Sequence, residues 1–248
     1  MVPGSSPELS IVIPTFNERG NIASLVAALG KTLDGLNWEV IFVDDNSPDG
    51  TAACIRGIAD VDPRVRLIQR LGRRGLSVSC IEGMQATEAP YVAVMDADLQ
   101  HDETILPSML ERIKSGGFDI VVASRVIAGG GMGEFPRWRV LLSTIGSRIS
   151  RMVCHCDVSD AMSGFFVIRR TFLQEVIHRL RGTGFKLLVD ILASSSRPVR
   201  AAEVPYKFRA RSWGESKLNF RVELEYLHLL LQKITAKLFR AKDRVSQN

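Results

Sequence analysis

The fold of this chain is decided by residues 91–101, which read YVAVMDADLQH. The first five of these residues are apolar, and two carboxylates, Asp96 and Asp98, follow them at once. A short apolar run of this kind is typical of a strand that is buried on both faces of a parallel sheet. Polar residues that follow such strands lie where open α/β sheets bind their ligands. We therefore predict a buried strand that ends at a ligand site.

Outward from this strand, short apolar runs alternate with amphipathic segments along the chain. Further strands are predicted at residues 9–14, 39–43, 65–68, 119–123, 165–168 and 199–205. Helices are predicted at residues 19–32, 49–59, 76–86, 105–114, 137–153, 169–180 and 219–240. This alternation predicts right-handed βαβ units and hence an α/β fold, in which helices flank a mostly parallel central sheet.

The chain is long enough for one large domain. We expect a catalytic domain over residues 1–218, with a nucleotide-binding half at about 8–128 and an acceptor half at about 129–218. The two halves meet at the glycine-rich stretch 129–133, which is typical of a flexible loop. Residues 219–248 are expected to form an amphipathic helix and tail.

The composition leaves several classes of partner open. Of the 248 residues, 46% are hydrophobic and 24% are charged, as in an ordinary globular protein. The net charge of +5 fits an anionic partner, which nucleic acid, a nucleotide diphosphate and an anionic membrane surface all supply. Four cysteines without a repeated Cys-x-x-Cys suit a reducing compartment. The first ten residues lack a signal-peptide pattern, and no apolar run approaches the ~20 residues of a membrane-spanning helix.

Asp96 and Asp98 are the first candidate site residues. A hard divalent cation that bridges two phosphates accepts a few carboxylate oxygens and keeps positions open for substrate. Gln100 offers a further neutral oxygen. A solvated acidic loop is the alternative, but the position directly after a buried strand favours a metal site.

Two further polar clusters also follow predicted strands. Asp45 ends the second strand and can accept hydrogen bonds from a ribose or a base, while Ser47 or Asp49 is suited to cap the next helix. Residues 14–18 (PTFNE) end the first strand and offer an aromatic ring and a carboxylate to the same cleft. This cluster also fits a simple strand exit and helix cap.

Three of these segments together resemble the successive signatures of family 2 inverting glycosyltransferases with the GT-A fold. They are residues 12–18 (VIPTFNE), 43–51 (VDDNSPDGT) and 95–101 (MDADLQH). Later segments agree, namely 160–166 (DAMSGFF), 184–186 (GFK), 203–208 (EVPYKF) and 211–218 (RSWGESKL). The most similar branch is dolichol/polyprenol-phosphate mannose synthase, and the resemblance covers roughly residues 8–220.

The resemblance implies a role for each matching residue. The nucleoside would be held by Pro14, Phe16, Glu18, Val43 and Asp45. The diphosphate and its Mg²⁺ or Mn²⁺ would be contacted by Asp96, Ala97, Asp98 and Gln100. Near the phosphates of donor and acceptor the resemblance places Arg125 and Ser163, and on a loop that closes over the donor it places Arg211 and Lys217. The predicted catalytic residues are thus Asp96, Asp98, Arg125 and Ser163.

The implied reaction is metal-assisted transfer of mannose from GDP-mannose to a polyprenyl phosphate, with inversion. The acceptor phosphate is already ionised at pH 7, so positioning and charge stabilisation matter more than a strong base. Two departures leave the donor open: residues 74–79 read RGLSVS where Gly-Leu-Gly-Thr-Ala is usual, and Phe16 replaces the common Tyr. The alternatives are UDP-glucose or another donor, a soluble acceptor, and a non-catalytic nucleotide-sugar-binding subunit of a membrane complex.

The predicted last helix carries one apolar stripe, formed by Phe220, Leu224, Leu227, Leu231, Ile234 and Leu238. With basic residues at its end, this helix suits either an anionic membrane interface or packing against the protein core or a partner helix. We expect a peripheral location on the cytoplasmic side of a membrane and no nucleic-acid partner, and a membrane-anchoring subunit stays open.

A zinc site at Cys154, His155 and Cys156 is not expected, because the sequence offers no two further zinc ligands at a suitable distance. His101 is expected to be a surface or packing residue that lies close to the metal loop.

Overall fold

A computed structural model of the protein describes residues 6–131, 156–182 and 187–209. The strands are β1 (Leu9–Thr15), β2 (Trp38–Asp44), β3 (Val65–Gln69), β4 (Tyr91–Val94), β5 (Ile120–Ser124), β6 (Phe166–Arg169) and β7 (Ala201–Pro205). The α-helices are α1 (Arg19–Thr32), α2 (Thr51–Ala59), α3 (Leu76–Gln85), α4 (Leu106–Ser115), α5 (Arg170–Val176) and α6 (Leu187–Ser194). Single 3₁₀ turns lie at Glu103–Ile105 and Ile177–Arg179. The predicted helices at 137–153 and 219–240 lie outside the described residues.

All seven strands form one sheet, in the order β3-β2-β1-β4-β6-β5-β7. The pairs β2–β3, β1–β2, β1–β4 and β5–β7 are parallel. Strand β6 is antiparallel to both of its neighbours, β4 and β5. Since β6 alone is reversed, β4 and β5 point the same way. The predicted mostly parallel sheet is therefore confirmed.

Helices cover both faces of the sheet. On one face, Ile11 and Phe42 pack in a cluster with residues of α1, α2 and α4. On the other face, Val12 and Val43 pack with residues of α3, α5 and α6. Consecutive strand residues therefore point into two different cores, and all four of these side chains are fully buried. This double burial explains why the strands read as continuous apolar runs rather than as alternating ones.

Helix α3 approaches the sheet closely because it carries a glycine at the contact. A Cβ atom added to Gly83 would lie 2.4 Å from a methyl group of Val12 and 2.9 Å from one of Val43. Both distances are far below van der Waals contact, so any larger residue would push the helix away from β1 and β2. The close approach matters for the site, because the loop that leads into α3 lies next to the end of β2.

Two local details differ from the sequence prediction. Helix α6 was not predicted; seven of its eight residues are buried, so its sequence lacks the amphipathic pattern that identifies a surface helix. Helix α2 begins at Thr51 with Gly50 at the N-cap position, so the expectation of Ser47 or Asp49 at that position was wrong. Asp49 contributes through its side chain, whose carboxylate accepts a hydrogen bond from the Thr51 N–H at 3.0 Å.

Candidate functional site

Several of the predicted site residues gather at one edge of the sheet. Strands β1, β2, β4 and β5 all end there, because they run in the same direction. The residues that follow these four strands include Phe16, Asp45, Asp96 and Arg125. Four motifs that are far apart in sequence therefore meet at the carboxyl ends of the strands, where α/β sheets bind ligands.

Asp45 is held by a buried hydrogen-bond network. Its Oδ1 accepts from Arg70 Nη1 at 2.5 Å and from the Ser79 hydroxyl at 2.7 Å. Its Oδ2 accepts from the backbone N–H of Gly75 at 2.7 Å. The Arg70 side chain is only 1% exposed, and sequence reasoning did not identify it. Three hydrogen bonds thus fix the carboxylate that the resemblance places at the nucleoside.

Phe16 lies at the mouth of the same region. The guanidinium of Arg74 stands over its ring, 4.4 Å from the centroid, in a cation–π contact. The aromatic face that was predicted to contact the nucleoside is therefore covered by a loop residue in this structure. Arg74 belongs to the RGLSVS stretch that differs from the usual family pattern, so the loop that varies is also the loop that borders the predicted nucleoside site.

The other predicted nucleoside residues lie deeper in the fold. Pro14 and Val43 are paired in the β1–β2 ladder, and both are buried. The side chain of Val43 belongs to the core beneath α3. Glu18 is also buried, and its carboxylate accepts a hydrogen bond from Asn21 Nδ2 at 2.8 Å. The structure therefore places the Val43 side chain in the core, and contact of these three residues with a nucleoside stays a prediction.

The Asp-Ala-Asp loop turns sharply after β4. Leu99 has a φ of 61°, which places it in the left-handed region that non-glycine residues rarely adopt. Asp98 is buried, and its Oδ1 accepts from the Gln100 N–H at 3.1 Å, which closes the turn. The side chain of Asp96 is 42% exposed and faces the cleft beside Gly164, where an added Cβ would lie 3.5 Å from its Oδ2.

His101 supports this loop from inside the protein. It is 2% exposed, and its ring stacks on Phe165 with centroids 5.2 Å apart. Burial lowers the pKa of His101 to about 4, so the ring is neutral at pH 7. Its Nδ1 accepts the backbone N–H of Asp96 at 3.1 Å, which leaves the proton on Nε2, 3.9 Å from Asp96 Oδ2. His101 is therefore a packing residue, as one of the two expectations had it, and it also orients Asp96, which was not predicted.

The loop chemistry fits a hard divalent cation. Asp96, Asp98 and Gln100 offer two carboxylates and an amide within five residues of one turn. Within the described ranges, no group of three or more His, Cys, Asp or Glu side chains forms a complete protein cage for a metal. Mg²⁺ and Mn²⁺ bound with a nucleotide need no such cage, because one or two carboxylates plus substrate phosphates suffice. The predicted ligands therefore suit a cation that is shared with a diphosphate.

Arg125 follows β5 and is locked to a buried partner. Its Nε and Nη2 donate to the two carboxylate oxygens of Asp160 at 2.8 and 2.9 Å, and its backbone N–H donates to Asp160 Oδ2 at 3.1 Å. Burial disfavours the charge of Arg125, but the hydrogen bonds to Asp160 outweigh this cost and raise the pKa of the guanidinium. The bidentate contact to Asp160 therefore uses Nε and Nη2 of the guanidinium.

Ser163 lies in the turn that follows Asp160. It is 3% exposed, and its hydroxyl donates to the Phe165 carbonyl and accepts from the Phe165 N–H, both at 3.2 Å. These contacts fix the turn that brings Gly164 beside Asp96. Ser163 therefore has a clear structural role here, and contact with the acceptor stays a prediction.

Two predicted site residues, Arg211 and Lys217, lie outside the described residues. Three supporting residues were missed by sequence reasoning: Arg70, Asp160 and, in its orienting role, His101. Arg70 and Asp160 act on residues 25 and 35 positions away, whereas His101 acts on Asp96 within the 95–101 segment. Asp160 was quoted only as part of a family-like segment, and that segment is the one signal that pointed to it.

A family model described as glycosyl transferase family 2 matches residues 10–177. Dolichol-phosphate mannosyltransferases are similar to most of the chain. The one from Pyrococcus furiosus is 37% identical over 89% of this chain and 62% of its own length, so this chain spans less than two thirds of that relative. The one from Saccharomyces cerevisiae is 33% identical over 91% of this chain and 86% of its own length.

Solved structures show the same fold at lower identity. Mannosyltransferase PcManGT from Pyrobaculum calidifontis, in complex with GDP-Man and Mn²⁺, is 18% identical with a TM-score of 0.63, over 96% of this chain and 66% of that one. Glucosyl-3-phosphoglycerate synthase from Mycobacterium tuberculosis, in complex with Mn²⁺, UDP and its product, is 19% identical with a TM-score of 0.63, over 93% of this chain and 79% of that one.

The sheet with helices on both faces and polar residues at its carboxyl edge is the GT-A fold. Within that class, the chain belongs to glycosyl transferase family 2, as the sequence motifs predicted.

Proposed function

We propose that the protein transfers mannose from GDP-mannose to a polyprenyl phosphate of the dolichyl type, with inversion at the sugar carbon. The observation that carries this proposal is the shared sheet edge, where Asp45, the Asp-Ala-Asp loop and Arg125 lie side by side. The 33–37% identity to dolichol-phosphate mannosyltransferases supports the choice of sugar and acceptor.

The donor lies along this edge in the proposed complex. Asp45 accepts hydrogen bonds from the nucleoside, and Phe16 offers its ring once Arg74 moves aside. Asp96, Asp98 and Gln100 hold Mg²⁺ or Mn²⁺ together with the diphosphate. The bound cation would neutralise the negative charge that develops on the departing nucleoside diphosphate. His101 keeps Asp96 oriented toward the cleft throughout.

The acceptor phosphate approaches from the side of Arg125. This phosphate is ionised at neutral pH, so it attacks the sugar carbon without a strong base on the protein. The remaining Nη1 of Arg125 binds a phosphate oxygen, while Asp160 fixes the plane of the guanidinium. Arg211 and Lys217 are proposed to close over the donor and exclude water.

A polyprenyl chain also requires contact with a membrane. Among the helices of the described ranges, none combines the length and hydropathy needed to cross a bilayer. We propose peripheral attachment on the cytoplasmic side through the amphipathic segment 219–248, outside the catalytic domain 1–218. A membrane-anchoring subunit is an additional partner that this arrangement would accommodate.

A transfer assay tests this function. The protein is incubated with Mn²⁺, a polyprenyl phosphate in detergent, and either labelled GDP-mannose or labelled UDP-glucose. We expect labelled lipid from GDP-mannose only. Labelled lipid from UDP-glucose alone would move the donor assignment to the alternative, and the absence of labelled lipid from every donor, with nucleotide binding intact, would favour the non-catalytic subunit.

A further inference from the structure

The segment that follows β7 ties two parts of the site together. We call residues 206–209 the strap. At its start, the Tyr206 N–H donates to the Ser124 carbonyl at 3.0 Å, next to Arg125. In its middle, the Phe208 N–H donates to the Gly131 carbonyl at 2.9 Å. Its last residue reaches the Asp-Ala-Asp loop, so the strap links the end of β5 to the proposed metal site.

The end of the strap is Arg209, which contacts the metal loop through both backbone and side chain. Its N–H donates to the Gln100 carbonyl at 2.9 Å, and its carbonyl accepts from Gln100 Nε2 at 3.1 Å. Its guanidinium donates to Asp102 Oδ1 at 2.5 Å and to Glu103 Oε2 at 2.7 Å. One residue thus makes four contacts to the turn that follows Asp98.

These contacts have two consequences for a metal and a diphosphate. The hydrogen bond from Gln100 Nε2 to the Arg209 carbonyl restricts the orientation of the Gln100 amide. In addition, one guanidinium forms ion pairs with two carboxylates, Asp102 and Glu103, which follow Asp98 within five residues. Without it, Asp102 and Glu103 would repel the donor, and the Gln100 amide would be less constrained.

We propose that Arg209 is a positioning residue for the metal and diphosphate. This inference rests on the proposed function, since it assumes a metal–diphosphate complex at Asp96 and Asp98. Arg209 acts through Gln100 and through the charges of Asp102 and Glu103. It needs no contact with the sugar or with the acceptor.

The test measures nucleotide binding rather than turnover. Calorimetry of the wild-type protein with GDP and with UDP, over a range of Mn²⁺ concentrations, first identifies the nucleotide that binds. The same titrations then use Arg209→Gln, Arg209→Lys and the control Arg112→Gln. Arg112 is an exposed residue of α4 whose guanidinium lies over the Phe118 ring, 5.6 Å from its centroid, so the control removes the same charge elsewhere.

We expect Arg209→Gln to raise the Mn²⁺ concentration needed for half-maximal nucleotide binding by about tenfold, as for other residues that orient metal ligands. Arg209→Lys should recover part of this loss, and Arg112→Gln should match the wild type. The Arg209 side chain is 41% exposed, which limits the contribution of its ion pairs to stability, but its partner Glu103 is only 9% exposed, so the melting temperature should fall by about 2–4 °C.

Three results would overturn the inference. An unchanged Mn²⁺ requirement in Arg209→Gln removes the coupling to the metal. An equal loss of nucleotide affinity with and without Mn²⁺, accompanied by a large drop in melting temperature, shows a merely structural role. If the wild-type protein binds neither GDP nor UDP in the presence of Mn²⁺, the proposed function itself is wrong, and the inference about Arg209 is overturned with it.

Discussion

Replacing Asp160 with asparagine removes one charge from a pair that the protein buries. Asp160 is fully buried, and the side chain of Arg125 is 14% exposed. The Asp160 carboxylate accepts three hydrogen bonds from Arg125, two from the guanidinium and one from the backbone. Asparagine has nearly the same shape, but only one of its terminal atoms accepts hydrogen bonds. One guanidinium N–H would therefore face another donor, and the charge of Arg125 would lose its partner.

The expected cost is large because the pair is shielded from water. Removing one member of a buried ion pair typically costs about 3–5 kcal/mol. For a chain of this length, each kcal/mol lowers the melting temperature by about 2–4 °C, so Asp160→Asn should melt about 10 °C below the wild type. The turnover number kcat for sugar transfer should also fall, since the guanidinium loses its fixed plane.

Thermal unfolding followed by circular dichroism measures this effect. The matched control is Glu88→Gln, which breaks a pair with Arg170 at 2.5 Å in which the Glu88 side chain is 81% exposed. This control should have the same melting temperature as the wild type, because solvent screens exposed ion pairs. If Asp160→Asn also melted within about 2 °C of the wild type, the assignment of Arg125 and Asp160 as a buried pair that holds the site would be refuted.

Two other predictions concern stability. Burial lowers the pKa of His101 from 6.5 to about 4. Between pH 4 and pH 6.5 this histidine is therefore protonated in the unfolded chain but neutral in the folded protein. The stability from this residue is complete above pH 6.5 and falls by about 3 kcal/mol as the pH drops to 4. Urea unfolding of metal-free protein should show this loss in the wild type relative to His101→Phe, and equal pH slopes for the two proteins would contradict it. Gly83→Ala should lower the free energy of unfolding by about 1–3 kcal/mol, because its Cβ would overlap Val12 and Val43. Gly57→Ala, with open space around its Cβ in α2, should raise it by up to about 1 kcal/mol, and equal effects of the two substitutions would rule out the close approach of α3.

The sequence was most informative where burial leaves a local pattern. Strands β1, β2, β4 and β5 lie between two cores, so each reads as a run of apolar residues that ends in polar ones. The same pattern predicted that Asp45 and Asp96 share an edge, because residues after parallel strands must meet there, whereas Arg125 was implied by the family resemblance. Helix α6 escaped detection for the opposite reason, since burial on nearly all sides erases the amphipathic period.

The supporting contacts could not be predicted, because they join distant parts of the chain. Arg70 lies 25 residues from Asp45, and Asp160 lies 35 residues from Arg125. Arg209 lies 106 residues from Glu103. No spacing rule within a helix or a strand relates such positions, and their pairing depends on how the sheet order and the loops bring them together. The motifs therefore predicted candidate site residues, while the residues that hold them in place became visible only in the fold.

The most direct test of a metal–diphosphate site is donor binding to Asp98→Asn. Asparagine keeps an oxygen that can accept the Gln100 N–H, so the turn at 3.1 Å is retained while the charge is lost. Calorimetry should show GDP-mannose binding to the wild type with Mn²⁺, and binding at least about tenfold weaker in EDTA or in Asp98→Asn with Mn²⁺. If Asp98→Asn bound GDP-mannose with the affinity and Mn²⁺ dependence of the wild type, the Asp-Ala-Asp loop would not be the metal site.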